Sequence, residues 1–107
     1  MKLSQTQKTR YETRATILKA LAHPIRLFMI EKIAEKSFCV QELTEMVGLD
    51  ISTVSKHLSL LKNAGLVNIE KKGKHVYYSL RMRCAINFLD CAEAVLREQA
   101  QDRMDAI

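Results

Sequence analysis

Apolar residues recur at intervals of three and four positions through most of the chain, and this period predicts amphipathic helices. The five segments that carry the pattern cover residues 7–21, 24–35, 40–47, 51–64 and 85–103. Pro24 suits the first turn of the second helix, where its missing N–H costs nothing, and His23 before it is predicted to cap that helix. The first and last segments carry apolar stripes at opposite ends of the sequence.

The pattern changes from helical to alternating after Gly65. Val67 and Ile69 alternate with polar neighbours, and the segment 75–80 returns as a run rich in β-branched and aromatic residues. The basic tetrapeptide Lys-Lys-Gly-Lys at 71–74 lies between these runs, so the segment is predicted to be a β-hairpin with a basic tip. A hairpin this short gains little from its own burial and must pack against the helices.

The junction between the third and fourth helices is the most specific feature of the pattern. Gly48 suits the left-handed position that ends a helix, and Asp50 suits the N-cap of the next one. Leu49 between them is expected to anchor the turn in the core. Two helices joined this way and followed by a hairpin predict a mainly α fold, a winged helix-turn-helix of five helices plus a two-stranded β-hairpin wing. We expect one domain over residues 1–107.

A winged helix-turn-helix suits duplex DNA, which its second helix enters through the major groove. Short hydroxyl side chains and a lysine at the start of that helix are small enough to approach base edges, and lysines at the wing tip can reach phosphates. The candidate DNA-binding residues are Ser52, Thr53, Ser55, Lys56, His57, Lys72 and Lys74. For His57, a phosphate contact and a packing role are both open.

Composition agrees with a polyanionic partner. Seventeen lysines and arginines against twelve acidic residues give a net charge of +5. The chain has no apolar run long enough for a membrane span, and its first residues lack the apolar core of a signal peptide, so we expect a cytoplasmic protein without a membrane partner. An enzyme is not expected, because no phosphate-binding Gly-rich loop, paired carboxylates or nucleophile triad stands in a recognisable context.

The chain resembles the ArsR/SmtB family of small winged-helix repressors. The resemblance rests on four segments that cover about three quarters of the chain: LKALAHPIRLFMIEKI at 18–33, CVQEL at 39–43, VGLDISTVSKHLSLLKNAGLV at 47–67 and KKGKHVYYSL at 71–80. It implies a homodimer, joined through the first and last helices, that represses its own operon and releases DNA when an effector binds. Cys39 falls where the family's arsenic and cadmium sensors begin a Cys-Val-Cys motif, but Gln41 replaces the second cysteine.

The identity of the effector depends on three cysteines, Cys39, Cys84 and Cys91. The last helix has no histidine, which disfavours zinc or nickel, and three thiols suit trivalent arsenic or antimony. Cys84 and Cys91 would lie about 10.5 Å apart on one helix, too far to bind one ion together. Three alternatives stay open: Cys84 lies before the helix, Cys91 meets a partner across the dimer, or Cys39 joins as a ligand. Each of the three cysteines could instead have no role in sensing, with Cys91 as a small core residue.

We therefore predict an As(III)- or Sb(III)-released repressor that needs no cofactor. The close alternative within the same fold is that two of the cysteines sense persulfides or oxidants, that is reactive sulfur or oxygen species. A non-sensing architectural DNA binder and a winged helix that binds proteins are the alternatives from other functional classes.

Overall fold

The structure is a computed structural model that describes residues 2–106; Met1 and Ile107, which the predicted single domain includes, lie outside the described residues. Five helices and three strands follow one another within residues 2–106. In order they are α1 (Gln5–Leu21), α2 (Pro24–Glu35), β1 (Phe38–Cys39), α3 (Val40–Val47), α4 (Ile51–Asn63), β2 (Val67–Lys72), β3 (His75–Leu80) and α5 (Ala85–Asp105). The predicted winged helix-turn-helix with five helices and a hairpin is confirmed.

The helix starts follow from capping residues. Ser4 and Gln7 form a reciprocal capping box, with Gln7 N to Ser4 Oγ at 3.2 Å and Ser4 N to Gln7 Oε1 at 3.0 Å. This box starts α1 two residues before the predicted position. The Nδ1 atom of His23 accepts from Ile25 N at 3.1 Å and Pro24 occupies the first turn of α2, so the predicted cap is confirmed.

The sheet has one strand more than predicted. Its order is β1-β3-β2, and both pairings are antiparallel. Phe38 and Cys39 pair with Tyr78 and Tyr77, so the base of the wing is joined to the residues that precede α3. A two-residue strand carries no alternation that the sequence could reveal, which is why the prediction of a two-stranded sheet was incomplete.

The core lies between α2, the helix-turn-helix and the base of the wing. Its fully buried side chains come from all of these elements: Met29, Ile30, Leu43, Val54, Leu58, Leu61 and Leu66. The predicted buried stripe of α4, formed by Val54, Leu58 and Leu61, is confirmed. This packing fixes the orientation of α4 relative to the wing.

The two terminal helices lie largely outside this core. Residues 5–14 of α1 and 91–105 of α5 are exposed throughout, although they include several large apolar side chains. The radius of gyration is 16.9 Å, whereas a compact domain of this length has a value of about 13 Å. The chain is extended because α1 and α5 have few packing partners within it. The last helix ends two residues later than predicted, at Asp105.

Candidate nucleic-acid interface

The amino end of α4 is organised by Asp50. Its carboxylate accepts from Thr53 N at 3.2 Å, from Thr53 Oγ1 at 2.7 Å and from the Ser52 hydroxyl. These hydrogen bonds, that from Ser52 first, lower the pKa of Asp50 to about 2. Asp50 is therefore ionised at neutral pH and holds the first turn of the recognition helix in one arrangement.

In this arrangement the hydroxyls of Ser52 and Thr53 can act towards DNA as hydrogen-bond acceptors and not as donors. A hydroxyl has one proton to donate and two lone pairs, and both protons are used on Asp50. The free lone pairs can accept from the amino groups of adenine or cytosine in the major groove. Of the other predicted contacts on this helix, Ser55 is half-buried and Lys56 is exposed.

The turn that leads to α4 has the predicted backbone but not the predicted anchor. Gly48 is left-handed at φ 77° and its N–H closes α3 on Thr44 O at 2.9 Å. Leu49, expected to be buried, is 43% exposed, so that expectation was wrong. The turn is held by its caps and by the neighbouring Leu43 and Val54, which are fully buried.

The wing presents lysines at the end of a two-residue turn. Lys72 pairs with His75, and Gly73 between them has φ 61°, the positive value that such turns require at their first position. Lys74 is exposed at the tip, and the Lys72 ammonium lies 5.5 Å from the ring centroid of Tyr77. Both lysines are free to reach a phosphate, and their DNA contacts stay predictions.

His57 lies on the side of α4 that faces α2. Its Nδ1 is 3.0 Å from Arg26 Nη1, and its ring centroid is 4.4 Å from that of His23. Burial lowers the pKa of His57 most, and the electrostatic effects of His23 and Arg26 act in the same direction. The sequence left a phosphate contact and a packing role open for His57, and the structure shows contacts for the packing role. Arg26 was not singled out, since only a contact across 31 residues reveals its role.

The three predicted effector cysteines lie in different surroundings, and all three are free. Cys39 is only 5% exposed, at the N-cap of α3. Cys84 and Cys91 are exposed, at the N-cap and in the second turn of α5. Within residues 2–106 of one chain, no three histidine, cysteine or acidic side chains are grouped closely enough to hold a metal ion. A single subunit thus does not bring the predicted three-thiol site together.

Cys39 is also tied into the start of α3. Its N–H donates to Glu42 Oε1 at 3.0 Å. Hydrogen bonds from the backbone and then the side chain of Cys39 lower the pKa of Glu42. The backbone of Cys39 therefore helps to close the first turn of α3, which is the first helix of the helix-turn-helix.

Comparisons with known proteins agree with this geometry. Residues 23–68 match the family described as "Bacterial regulatory protein, arsR family". An uncharacterised HTH-type transcriptional regulator of Mycobacterium tuberculosis is 34% identical over 95 residues, which cover 88% of this chain and 83% of the relative. The biofilm growth-associated repressor of Xylella fastidiosa is 35% identical over 66 residues, 62% of this chain and only 58% of that protein's length.

The crystal structure of NolR from Sinorhizobium fredii has the same fold. It matches with a TM-score of 0.80 at 28% identity, over 89% of this chain and 95% of that one. No helix among the described residues is long and apolar enough to cross a membrane. The resemblance seen in the sequence is thus confirmed, and the chain belongs to the ArsR family of bacterial regulatory proteins, which are transcriptional regulators and not enzymes.

Proposed function

We propose that the protein is a homodimeric transcriptional repressor that binds operator DNA through α4 and the wing and releases it when a thiophilic effector binds. The observation that carries the DNA part is the amino end of α4. A capped, exposed turn presents Ser52 and Lys56, with lysines at a separate hairpin tip. Base edges would be read by the helix and phosphates by the wing.

The terminal helices support the dimer. An isolated helix of about 15 residues is marginal in water, yet residues 91–105 of α5 are helical without a buried side chain. The exposed apolar residues of α1 and α5 are Tyr11, Leu18, Phe88, Val95, Leu96 and Met104. A second copy would bury these side chains and would bring two recognition helices to two half-sites.

For the effector we propose As(III) or Sb(III) bound by Cys84 and Cys91, with Cys39 as the third thiolate. Trivalent arsenic is soft and takes thiolates. Cys84 and Cys91 are reachable because both are exposed. Since one chain does not group three ligands, binding requires either movement of the first turn of α5 or a contribution across the dimer. Recruitment of Cys39 would open the cap of α3 and so couple the effector to the DNA-binding helices.

Reactive sulfur species or oxidants are the second candidate effectors, favoured by the same two exposed thiols. Two helical cysteines seven residues apart are separated by about 10.5 Å, beyond the roughly 7 Å that a disulfide spans without backbone movement. A crosslink would therefore join the two subunits or require the first turn of α5 to unwind. The predicted product, a Cys–Cys crosslink within or between subunits, distinguishes this candidate from arsenic.

The test is release of an operator duplex, selected from a random library, followed by fluorescence anisotropy. Arsenite, antimonite, cadmium, zinc and a persulfide donor are titrated into the parent protein and into Cys84→Ser, Cys91→Ser and Cys39→Ala. We expect arsenite and antimonite to release DNA from the parent and not from the two α5 variants. Release by persulfide with a Cys–Cys crosslink would establish the redox candidate instead. Persistent sequence-independent binding under all effectors would indicate an architectural protein, and absence of salt-dependent duplex binding would refute the DNA-binding function.

A further inference from the structure

A single arginine connects three helices at the back of the recognition helix. Arg26, in the first turn of α2, donates from Nε to the carbonyl of Ala20 at 2.6 Å. Its Nη1 donates to His57 Nδ1 at 3.0 Å. One guanidinium therefore holds the last turn of α1 at one edge and the middle of α4 at another. The two acceptors are reached from two different nitrogens of the arginine fork, whereas a lysine ammonium donates from a single nitrogen.

The protonation state of His57 follows from this contact. Arginine is always a donor, so Nδ1 of His57 must be the acceptor and its proton must be on Nε2. The side chains that act on His57 are His23, in the turn before α2, and Arg26 of α2. Among the described residues, no charged group of α1, α3 or β2 contributes to its shifted pKa. A protonated His57 would lose its acceptor and place a second cation beside Arg26.

We propose that Arg26 is a positioning residue for DNA recognition, holding α4 through His57 in a fixed relation to the carboxyl end of α1. The inference rests on the proposed function, because it concerns how the recognition helix is oriented for an operator. α1 is one of the two helices with an exposed apolar face, so a shift of α1 in the dimer would be passed to α4 through this side chain. Arg26 itself need not touch DNA.

The proposal and a direct phosphate contact by His57 give opposite signs of pH dependence. If His57 met a phosphate, its protonation would strengthen DNA binding as the pH falls. If His57 accepts from Arg26, protonation breaks the contact, so operator affinity falls as the pH drops through the pKa of His57 in the folded protein, which burial places below the ordinary 6.5. His23 and His75 are unchanged in every variant, so differences in pH dependence between the variants report on His57.

The experiment measures affinity for the selected operator and for unrelated duplex from pH 8 to 5, using the dimeric full-length protein. Arg26→Lys keeps the charge but not the fork, His57→Leu removes the acceptor, and His57→Asn keeps an acceptor near Nδ1 that does not titrate. We expect Arg26→Lys and His57→Leu each to lower operator affinity about tenfold to a hundredfold, because each subunit of the dimer loses one hydrogen bond to a charged group, worth about tenfold. Affinity for unrelated duplex should change less than twofold, because no phosphate contact is lost.

The double variant Arg26→Lys/His57→Leu should bind the operator no more weakly than the poorer single variant. His57→Asn should recover most of the affinity lost in His57→Leu and should show a smaller loss in acid than the parent. Circular dichroism checks that each variant is folded, and His57→Asn with Arg26→Lys provides a mild pair if His57→Leu does not fold. Three outcomes would overturn the positioning role. Arg26→Lys could bind the operator as tightly as the parent, or the losses in the double variant could be additive. The parent could also bind more strongly in acid, with this gain abolished by His57→Asn. Failure of the parent to bind any duplex would instead refute the proposed function on which it rests.

Discussion

Replacing Leu96 of α5 by glutamate should separate the proposed dimer. Leu96 is 60% exposed in one chain. Full burial of a leucine side chain is worth about 1.5–3 kcal/mol, so covering the remaining exposed part would contribute roughly 1–2 kcal/mol per subunit. A symmetric interface counts each change twice, which gives about 2–4 kcal/mol per dimer. Dimer dissociation should therefore become about thirtyfold to a thousandfold easier, before any cost of burying the new charge.

Sedimentation equilibrium over a range of protein concentrations measures this change directly. Helix content should fall together with dimerisation on dilution, because residues 91–105 have no buried side chain within one chain. Ile69→Glu is the matched control, since Ile69 is 39% exposed on β2, outside both terminal helices. Unchanged dimerisation in Leu96→Glu, with normal operator binding, would refute the assignment of α5 to the interface.

Three further predictions concern the DNA-binding face. Lys74→Ala should weaken binding to all DNA sequences and make the slope of log affinity against log salt concentration shallower by about one unit per lost contact in each subunit. Ser55→Ala should instead change the preference among operator variants. The reverse pattern would refute these roles. The lowered pKa of Asp50 stabilises the fold fully above its ordinary value of 3.8, and this stabilisation is lost as the pH falls to about 2. Asp50→Asn should therefore be less stable than the parent near neutral pH and lose less stability in acid. Acid-unfolding curves of the same shape for both proteins would contradict this. Gly48→Ala should lower the free energy of unfolding in urea by about 1–2 kcal/mol, because φ is 77° and alanine disfavours the left-handed backbone. No steric clash contributes, since no atom lies within 4 Å of an added Cβ. Gly48→Asn should cost less, because asparagine adopts this conformation more readily.

The parts of the fold that the sequence predicted are those set by local chemistry. Gly48 and Asp50 define their turn through the left-handed backbone and the cap, and each effect acts within four residues. The buried stripe of α4 follows from helical period alone. Strand β1 was missed because two residues carry no period, and Leu49 was misplaced because an apolar residue in a turn gives no direction by itself.

The candidate site was less accessible to sequence reasoning because its contacts are long-range. The hydrogen bond of Arg26 to His57 joins residues 31 positions apart, and no local pattern marks it. The use of the Ser52 and Thr53 hydroxyl protons on Asp50 depends on rotamers. The cysteines are a second example. Their spacing in the sequence predicts how far apart Cys84 and Cys91 lie on one helix, but the burial of Cys39 depends on how distant segments pack and could not be predicted.

These contacts give the proposed effector a physical route to the operator. The thiols lie at the start of α5, which packs on α2, and α2 in turn packs on α4 and carries Arg26. An effector that prefers the arrangement unable to bind DNA by about 3 kcal/mol would lower operator affinity roughly a hundredfold. The preference must come from contacts that differ between the two arrangements, and a thiolate bridge that pulls Cys84 or opens the cap at Cys39 would supply such a difference. Because linkage is reciprocal, operator DNA must weaken effector binding by the same factor. On this proposal, the packed path through α2 would carry a change at the first turn of α5 to the recognition helix without direct contact between the effector and DNA.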